Sequence, residues 1–259
     1  MKSTLILGAA ALAASVGAAG AAHATTGHVS GSYSTANVEY DGGSEDDIDS
    51  WGLSGAFISP AVHGVDVQFS ASHENNTWDG SDYDNGQSTV AVWGTHRTGN
   101  FGFGGYFGFG NEWSQTVYMY GGEVQFYLPN ATIRGVAQHG SMSDAYDYSA
   151  TDLRVDATWF IMEQLAATLG VSHTDFDDYD DSATGVHVGG EYRFANSPVS
   201  ISADYLWEDW DYDPGGAEGN IFRIAATWDF GTGSLQERSQ TGASFGAERQ
   251  FLDVWTRWD

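Results

Sequence analysis

Asp152-Leu153-Arg154-Val155-Asp156-Ala157-Thr158-Trp159-Phe160-Ile161 decides how the chain is read. Leu153, Val155, Ala157, Trp159 and Ile161 share one phase. Asp152, Arg154, Asp156 and Thr158 take the other, with Phe160 at its end. A period of two is the signature of a strand with one apolar and one polar face. A run of about ten residues is what a tilted strand needs to cross the hydrocarbon of a bilayer. Two further stretches repeat the beat. Val186, Val188, Gly190, Tyr192 and Phe194 alternate with His187, Gly189, Glu191 and Arg193. Phe222, Ile224, Ala226, Trp228 and Phe230 alternate with Arg223, Ala225, Thr227 and Asp229.

Working outward from these, twelve such segments run near 28–40, 51–58, 64–73, 87–97, 101–110, 116–128, 131–138, 151–161, 165–175, 185–194, 198–207 and 220–230. Connectors alternate in length. Those near Pro60, Thr98-Gly99, Pro129-Asn130, Glu163 and Ser197-Pro198 are short. Those at 41–50, 74–86, 139–150, 176–184 and 208–219 are long, polar and acidic. Short inner turns and long outer loops are the asymmetry of a transmembrane barrel, and an even strand count places both chain ends on the inner side. All four prolines fall in connectors, where a missing ladder donor costs nothing. The expected fold is all-β: an up-and-down antiparallel transmembrane β-barrel of about twelve strands. A soluble sandwich shares the alternation, but not the strand lengths or the alternating connectors. Aromatic girdles are expected at both rims: Tyr40, Trp51, Tyr118, Tyr205 and Trp207 outside, and Phe57, Phe126, Trp159, Phe194, Trp228 and Phe230 inside.

The first 24 residues read as a signal peptide. Lys2 is the positive n-region, Leu5 to Ala14 the apolar h-region, and Ala22-His23-Ala24 an A-x-A cleavage site. Cleavage there leaves residues 25–259, with the barrel over 25–230 and a periplasmic tail or plug over 231–259. No later stretch reaches the roughly 18 consecutive apolar residues of a membrane helix. A spanning chain must then close its sheet, because hydrocarbon cannot satisfy an open backbone edge.

The formal net charge is −26, and Lys2 is the only lysine, so every basic side chain beyond the leader is an arginine. Nucleic acid, which needs a basic footprint, is excluded as a partner. The chain has no cysteine and so no thiol chemistry. Glu123, Arg134, Asp152, Arg154, Asp156, Glu191, Arg193, Asp204, Arg223 and Asp229 all fall on the polar phase. On the lipid face an arginine at the midplane would cost roughly 2–4 kcal/mol, so this phase faces inward. These charges either line an aqueous constriction or pair across strands to fill the interior. In Phe101 to Gly110, Gly102, Gly104, Gly108 and Gly110 also face inward. They remove volume from one wall, leaving a pore or room for an inserted loop or the tail. Within the tail, Phe251, Leu252, Trp255 and Trp258 have helical spacing. A short amphipathic helix and a frayed end both fit them.

His139-Gly140-Ser141 carries base and nucleophile types on the lipid-facing phase. A third group must orient the histidine, and no asparagine stands at a matching place on a neighbouring strand, so no catalytic residue is assigned. Acid runs such as Asp177 to Asp181 do not match the twelve-residue calcium loop, and no metal site or cofactor is assigned.

Ile224, Ala226, Trp228 and Phe230 resemble the C-terminal insertion signal of Gram-negative outer-membrane proteins, in which the last strand alternates apolar residues and ends on an aromatic. With the leader and the 28–230 pattern, the chain resembles the outer-membrane porin superfamily. It departs where the family usually stops, since this chain continues to Asp259. The resemblance implies the bacterial outer membrane as location, and outer-membrane lipid and the barrel assembly machinery as partners. It also implies passive diffusion of ions or small polar solutes rather than an enzyme activity. Acidic outer loops would make such a channel weakly cation-preferring. The alternative is a structural or surface-interaction barrel with a blocked lumen.

Overall fold

A computed structural model of the protein describes residues 26–60, 64–78, 84–112, 115–143, 148–177, 181–212 and 215–246. The leader and the helical spacing over 251–258 lie outside them. The chain forms twelve strands: β1 (Thr26–Tyr40), β2 (Glu45–Pro60), β3 (Asp66–Trp78), β4 (Asp84–Thr98), β5 (Phe101–Glu112), β6 (Gln115–Leu128), β7 (Ala131–Ser143), β8 (Tyr148–Met162), β9 (Leu165–Phe176), β10 (Asp181–Arg193), β11 (Val199–Tyr212) and β12 (Gly215–Phe230). A short helix follows, α1 (Leu235–Thr241).

Every strand pairs antiparallel with its sequence neighbours, and β1 closes on β12 from Gly27 opposite Phe230 to Tyr40 opposite Ala217. Closure satisfies both edges of the sheet, which makes the assembly compatible with hydrocarbon. The outward phase is an apolar surface. Leu153, Val155, Trp159, Leu169, Val171, Ile224 and Trp228 are all exposed, as are Phe101, Phe103, Phe107 and Phe109. In water so continuous a band would drive aggregation; in a bilayer it is the lipid contact. Phe57 stacks on Phe69 within this face, ring centroids 5.1 Å apart.

Three sequence expectations are corrected. The outer connectors are shorter than read, because strands continue through them. Glu45, Asp46 and Asp47 open β2, and Glu208 to Tyr212 end β11. Their backbone groups pair across the sheet, as Asp209 does with Glu218, and ladder bonding overrides the turn-like composition. Tyr40 is not an outer-rim girdle residue. It is partly buried and packs inward against the cluster of Val38, Ile48, Ala217 and Ile221. Finally, the tail carries a helix at 235–241, where none was assigned. Ser234 caps it, accepting from the Glu237 N–H at 3.1 Å, while the Glu237 carboxylate accepts from the Gly233 N–H at 2.5 Å. This is a variant of the Ser-x-x-Glu capping box.

Candidate functional site: the barrel interior

Beyond Phe230 the chain turns back into the barrel. Gly231 takes φ +80°, a left-handed conformation suited to glycine. The segment 232–246 then docks against the inner wall through contacts that reach most strands. Leu235 is buried with Phe160 and Ala166, and Ala243 with Ala56 and Ile58. Phe245 is buried against Trp93, at 5.6 Å between ring centroids, with the Arg97 guanidinium 5.0 Å from its own ring centre. Polar groups fix the backbone of the segment. Arg193 Nη2 donates to the Thr232 carbonyl at 2.8 Å, Arg97 Nη2 to the Gly242 carbonyl at 2.7 Å, and Gln68 Nε2 to the Phe245 carbonyl.

The glycine wall of β5 makes this possible. A Cβ on Gly104 would stand 3.2 Å from the Phe245 ring, and one on Gly102 would overlap the Tyr127 hydroxyl. Gly102 and Gly104 thus accommodate aromatic side chains, one of them from the tail.

Arg238 is the electrostatic anchor. Its Nη1 lies 3.2 Å from both carboxylate oxygens of Asp229, and its Nη2 pairs with Glu191. Burial opposes the charge on Arg238, but the Glu191 and Asp229 carboxylates outweigh it and push its pKa above the ordinary arginine range.

The ten charged residues singled out in the sequence all take the inward phase, and the structure divides them into groups. Asp229 and Glu191 hold Arg238, and Arg193 lies 3.4 Å from Asp229. Arg134 pairs with Asp156 at 2.6 Å, and His187 Nε2 lies 3.3 Å from the same carboxylate. Gly170 permits this triplet, since a Cβ there would overlap Asp156 and the His187 ring. Arg223 lies 3.7 Å from Glu74. Asp152 accepts from Gln138 at 2.8 Å and Thr174 at 3.0 Å. Glu123 accepts from Gln125 at 2.5 Å. Asp204 faces Gly189, where a Cβ would overlap its carboxylate. Arg154 has no hydrogen bond or carboxylate partner among the described residues, and its Nε is sequestered from water.

Between the tail and the opposite wall lies a cavity of about 490 Å³. Arg134, Arg154, Arg223 and Arg238 line it together with the carboxylates of Asp156, Glu191, Asp204 and Glu208 and a wall of serines, among them Ser30, Ser32, Ser54, Ser70 and Ser72. Toward the long-connector end the inner face becomes apolar: Val38, Ile48, Val117, Phe176, Trp210 and Ile221 are all buried there. Sequence reasoning missed His187 and the serine wall. The signal was present, since His187 and Ser30, Ser32 and Ser34 sit on the inward phase of their strands.

The His139-x-Ser141 pair keeps its outward phase. Thr151, directly across the ladder, approaches His139 Nδ1 at 3.1 Å, and Asp177 lies 3.8 Å away. Among the described residues no hydrogen bond joins His139 to Ser141.

No protein-family model matches this sequence, and no curated protein matches it either. Solved structures do match in shape. The translocator domain of the autotransporter NalP from Neisseria meningitidis superposes with a TM-score of 0.52 at 10% identity, covering 87% of this chain and 99% of that one. The β domain of the Bordetella autotransporter BrkA gives 0.52 at 13% identity, covering 79% and 100%. The CymD monoaromatic hydrocarbon channel gives 0.54 at 7% identity, covering 79% and 88%. At such identities the likeness is one of fold. Together with the closed twelve-strand sheet and its apolar outer face, it defines the fold: a closed antiparallel β-barrel of the kind that outer-membrane proteins use.

Proposed function

We propose that this barrel is a channel for ions or small polar solutes, closed at its short-turn end by its own residues 232–246. The observation that carries the reading is the cavity of about 490 Å³ inside the barrel, walled by serines, four arginines and the carboxylates of Asp156, Glu191, Asp204 and Glu208. A barrel built only for structure would fill that space with packed or paired side chains. Insertion would use outer-membrane lipid and the barrel assembly machinery, with Ile224, Ala226, Trp228 and Phe230 on the outward phase of the closing strand as the recognition signal.

The open channel is weakly cation-preferring. Glu39, Asp46, Asp47, Asp49, Asp175, Asp177, Asp209, Asp211 and Glu218 are exposed toward the long-connector end, where no described arginine stands. That mouth concentrates cations, and the effect is screened beyond roughly 8 Å at physiological salt. One observation favours the second reading, a structural barrel with a blocked lumen: the apolar inner face near the outer end, where Val38 and Val117 are fully buried.

Planar-bilayer recording separates the two. The full chain and a chain ending at Gly233 are compared under a KCl gradient. The channel reading expects higher conductance from the shortened chain, with a reversal potential of cation sign that shrinks as salt rises. Folded protein that conducts in neither form supports the blocked-lumen reading. An anion sign would assign the constriction to Arg154 and Arg223.

A further inference from the structure

We infer that the central cavity is a binding site for a small hydrophilic organic anion, with its carboxylate on Arg154 and its hydroxyls on the serine wall.

The arginines differ in their partners. Each of the six in the described residues faces the interior, and five have an acceptor within the protein. Arg97 has the Gly242 carbonyl, Arg134 has Asp156, Arg193 has Thr232 and Asp229, Arg223 has Glu74, and Arg238 has Glu191 and Asp229. Arg154 is the exception. Its Nε is shut off from water and meets no acceptor, although its side chain borders the cavity. A sequestered donor left unmade is costly, and more so on a charged group. The nearest inward carboxylate on its own strand, Asp156, is already engaged by Arg134 and His187. Nε itself stays shut off, but of the four arginines that line the chamber Arg154 is the one whose terminal nitrogens an incoming acceptor can meet without competing with an internal carboxylate.

The rest of the chamber sets the chemical class: Asp156, Glu191, Asp204 and Glu208 also line it, Asp156 being held by Arg134 and His187 and Glu191 by Arg238, so any anion must dock at Arg154 itself. A volume of about 490 Å³ falls within the range of small-molecule sites. Ser30, Ser32, Ser54, Ser70 and Ser72 present short hydroxyls, each able to donate and to accept. Such a wall suits the hydroxyls of a solute and gives nothing to an apolar one. A planar guanidinium matches a carboxylate in two-point geometry. A hydroxylated carboxylate satisfies both walls. The site stands whether or not the lumen conducts, because the exposed acidic mouth governs permeation while Arg154 acts locally.

The test is calorimetric titration of the detergent-solubilised full chain with sodium gluconate, with glucose as the uncharged control. A full-length Arg238→Gln variant, whose tail is held less tightly, is titrated in parallel to allow for slow entry. The expected result is saturable gluconate binding by one or both proteins, no binding of glucose, and affinity at least about tenfold weaker when Arg154→Gln is introduced. Arg154→Lys keeps the charge without the planar fork and should bind at an intermediate strength. If the neutral variant does not fold, the lysine variant carries the comparison, and unchanged affinity there overturns the assignment. So does an Arg154→Gln protein that binds gluconate as well as its parent, glucose binding of equal strength, or no gluconate binding by either parent protein.

Discussion

Replacing Arg238 with glutamine removes the one cation that ties the tail to two buried carboxylates. In the docked state Asp229 is about 1% exposed and has Arg238 Nη1 at 3.2 Å from each oxygen. Glu191 keeps the Ser200 hydroxyl, at 2.5 Å, and the nearby His28 once Arg238 is gone. Removing one partner of a buried ion pair costs about 3–5 kcal/mol. Two features reduce that figure here: the Arg238 and Glu191 side chains are each 20% exposed, and Arg193 still faces Asp229 at 3.4 Å. A cost of about 2–3 kcal/mol remains, and it falls on the docked tail, since an undocked tail lets water reach both carboxylates. The ratio of docked to undocked tail should then fall roughly 30- to 150-fold. Hydrogen exchange reads this directly. The Arg238 and Gly242 amides, bonded to the Ser234 and Arg238 carbonyls, should lose protection by that factor, while amides in the β6–β7 ladder keep theirs. Adding Glu191→Gln should restore part of the loss, because one stranded charge disappears. Unchanged protection in α1 would refute the anchoring role of Arg238. Equal loss in β6–β7 would show instead that the variant opens the whole barrel.

Two further expectations follow from the fold. Epitope tags inserted at Gly43 or Gly216 should be accessible on intact cells and tags at Pro129 or Ser197 should not, and surface labelling of the second pair would invert the topology. Gly170→Val should lower the urea-unfolding stability by about 1–3 kcal/mol, because any Cβ overlaps the Asp156–His187 pair; unchanged stability would mean that the pair contributes little.

The strand count, the phase of strands such as β5, β8, β10 and β12, and the inward arginines were legible in the sequence. All are local consequences of a period of two and of the cost of charge in lipid, and neither needs a knowledge of neighbours. Strand ends were less legible. Asp46, Asp47 and Asp209 look like loop residues until their backbone is paired across the sheet, and pairing is a property of two strands. The helix at 235–241 had a local mark, the Ser234-x-x-Glu237 cap. Its location had none, because a polar amphipathic stretch reads alike on a membrane surface and inside a lumen.

What the amino-acid order determined by itself is a closed membrane barrel with charges inside and apolar residues outside, because side-chain direction alternates strictly along each strand. Which charges pair, and which is left over, was decided only by the tertiary structure. Arg134 stands directly across the ladder from Asp156 and Arg154 two residues along the same strand, and Asp156 is engaged by Arg134 and by His187 from β10. The four inward glycines of Phe101 to Gly110 likewise left open whether the space becomes a pore or a seat. Gly231 and the Arg238 anchor bring Phe245 into it, from a segment more than 130 residues away along the chain. Contacts of that span depend on the barrel having closed, and closure is a property of all twelve strands together.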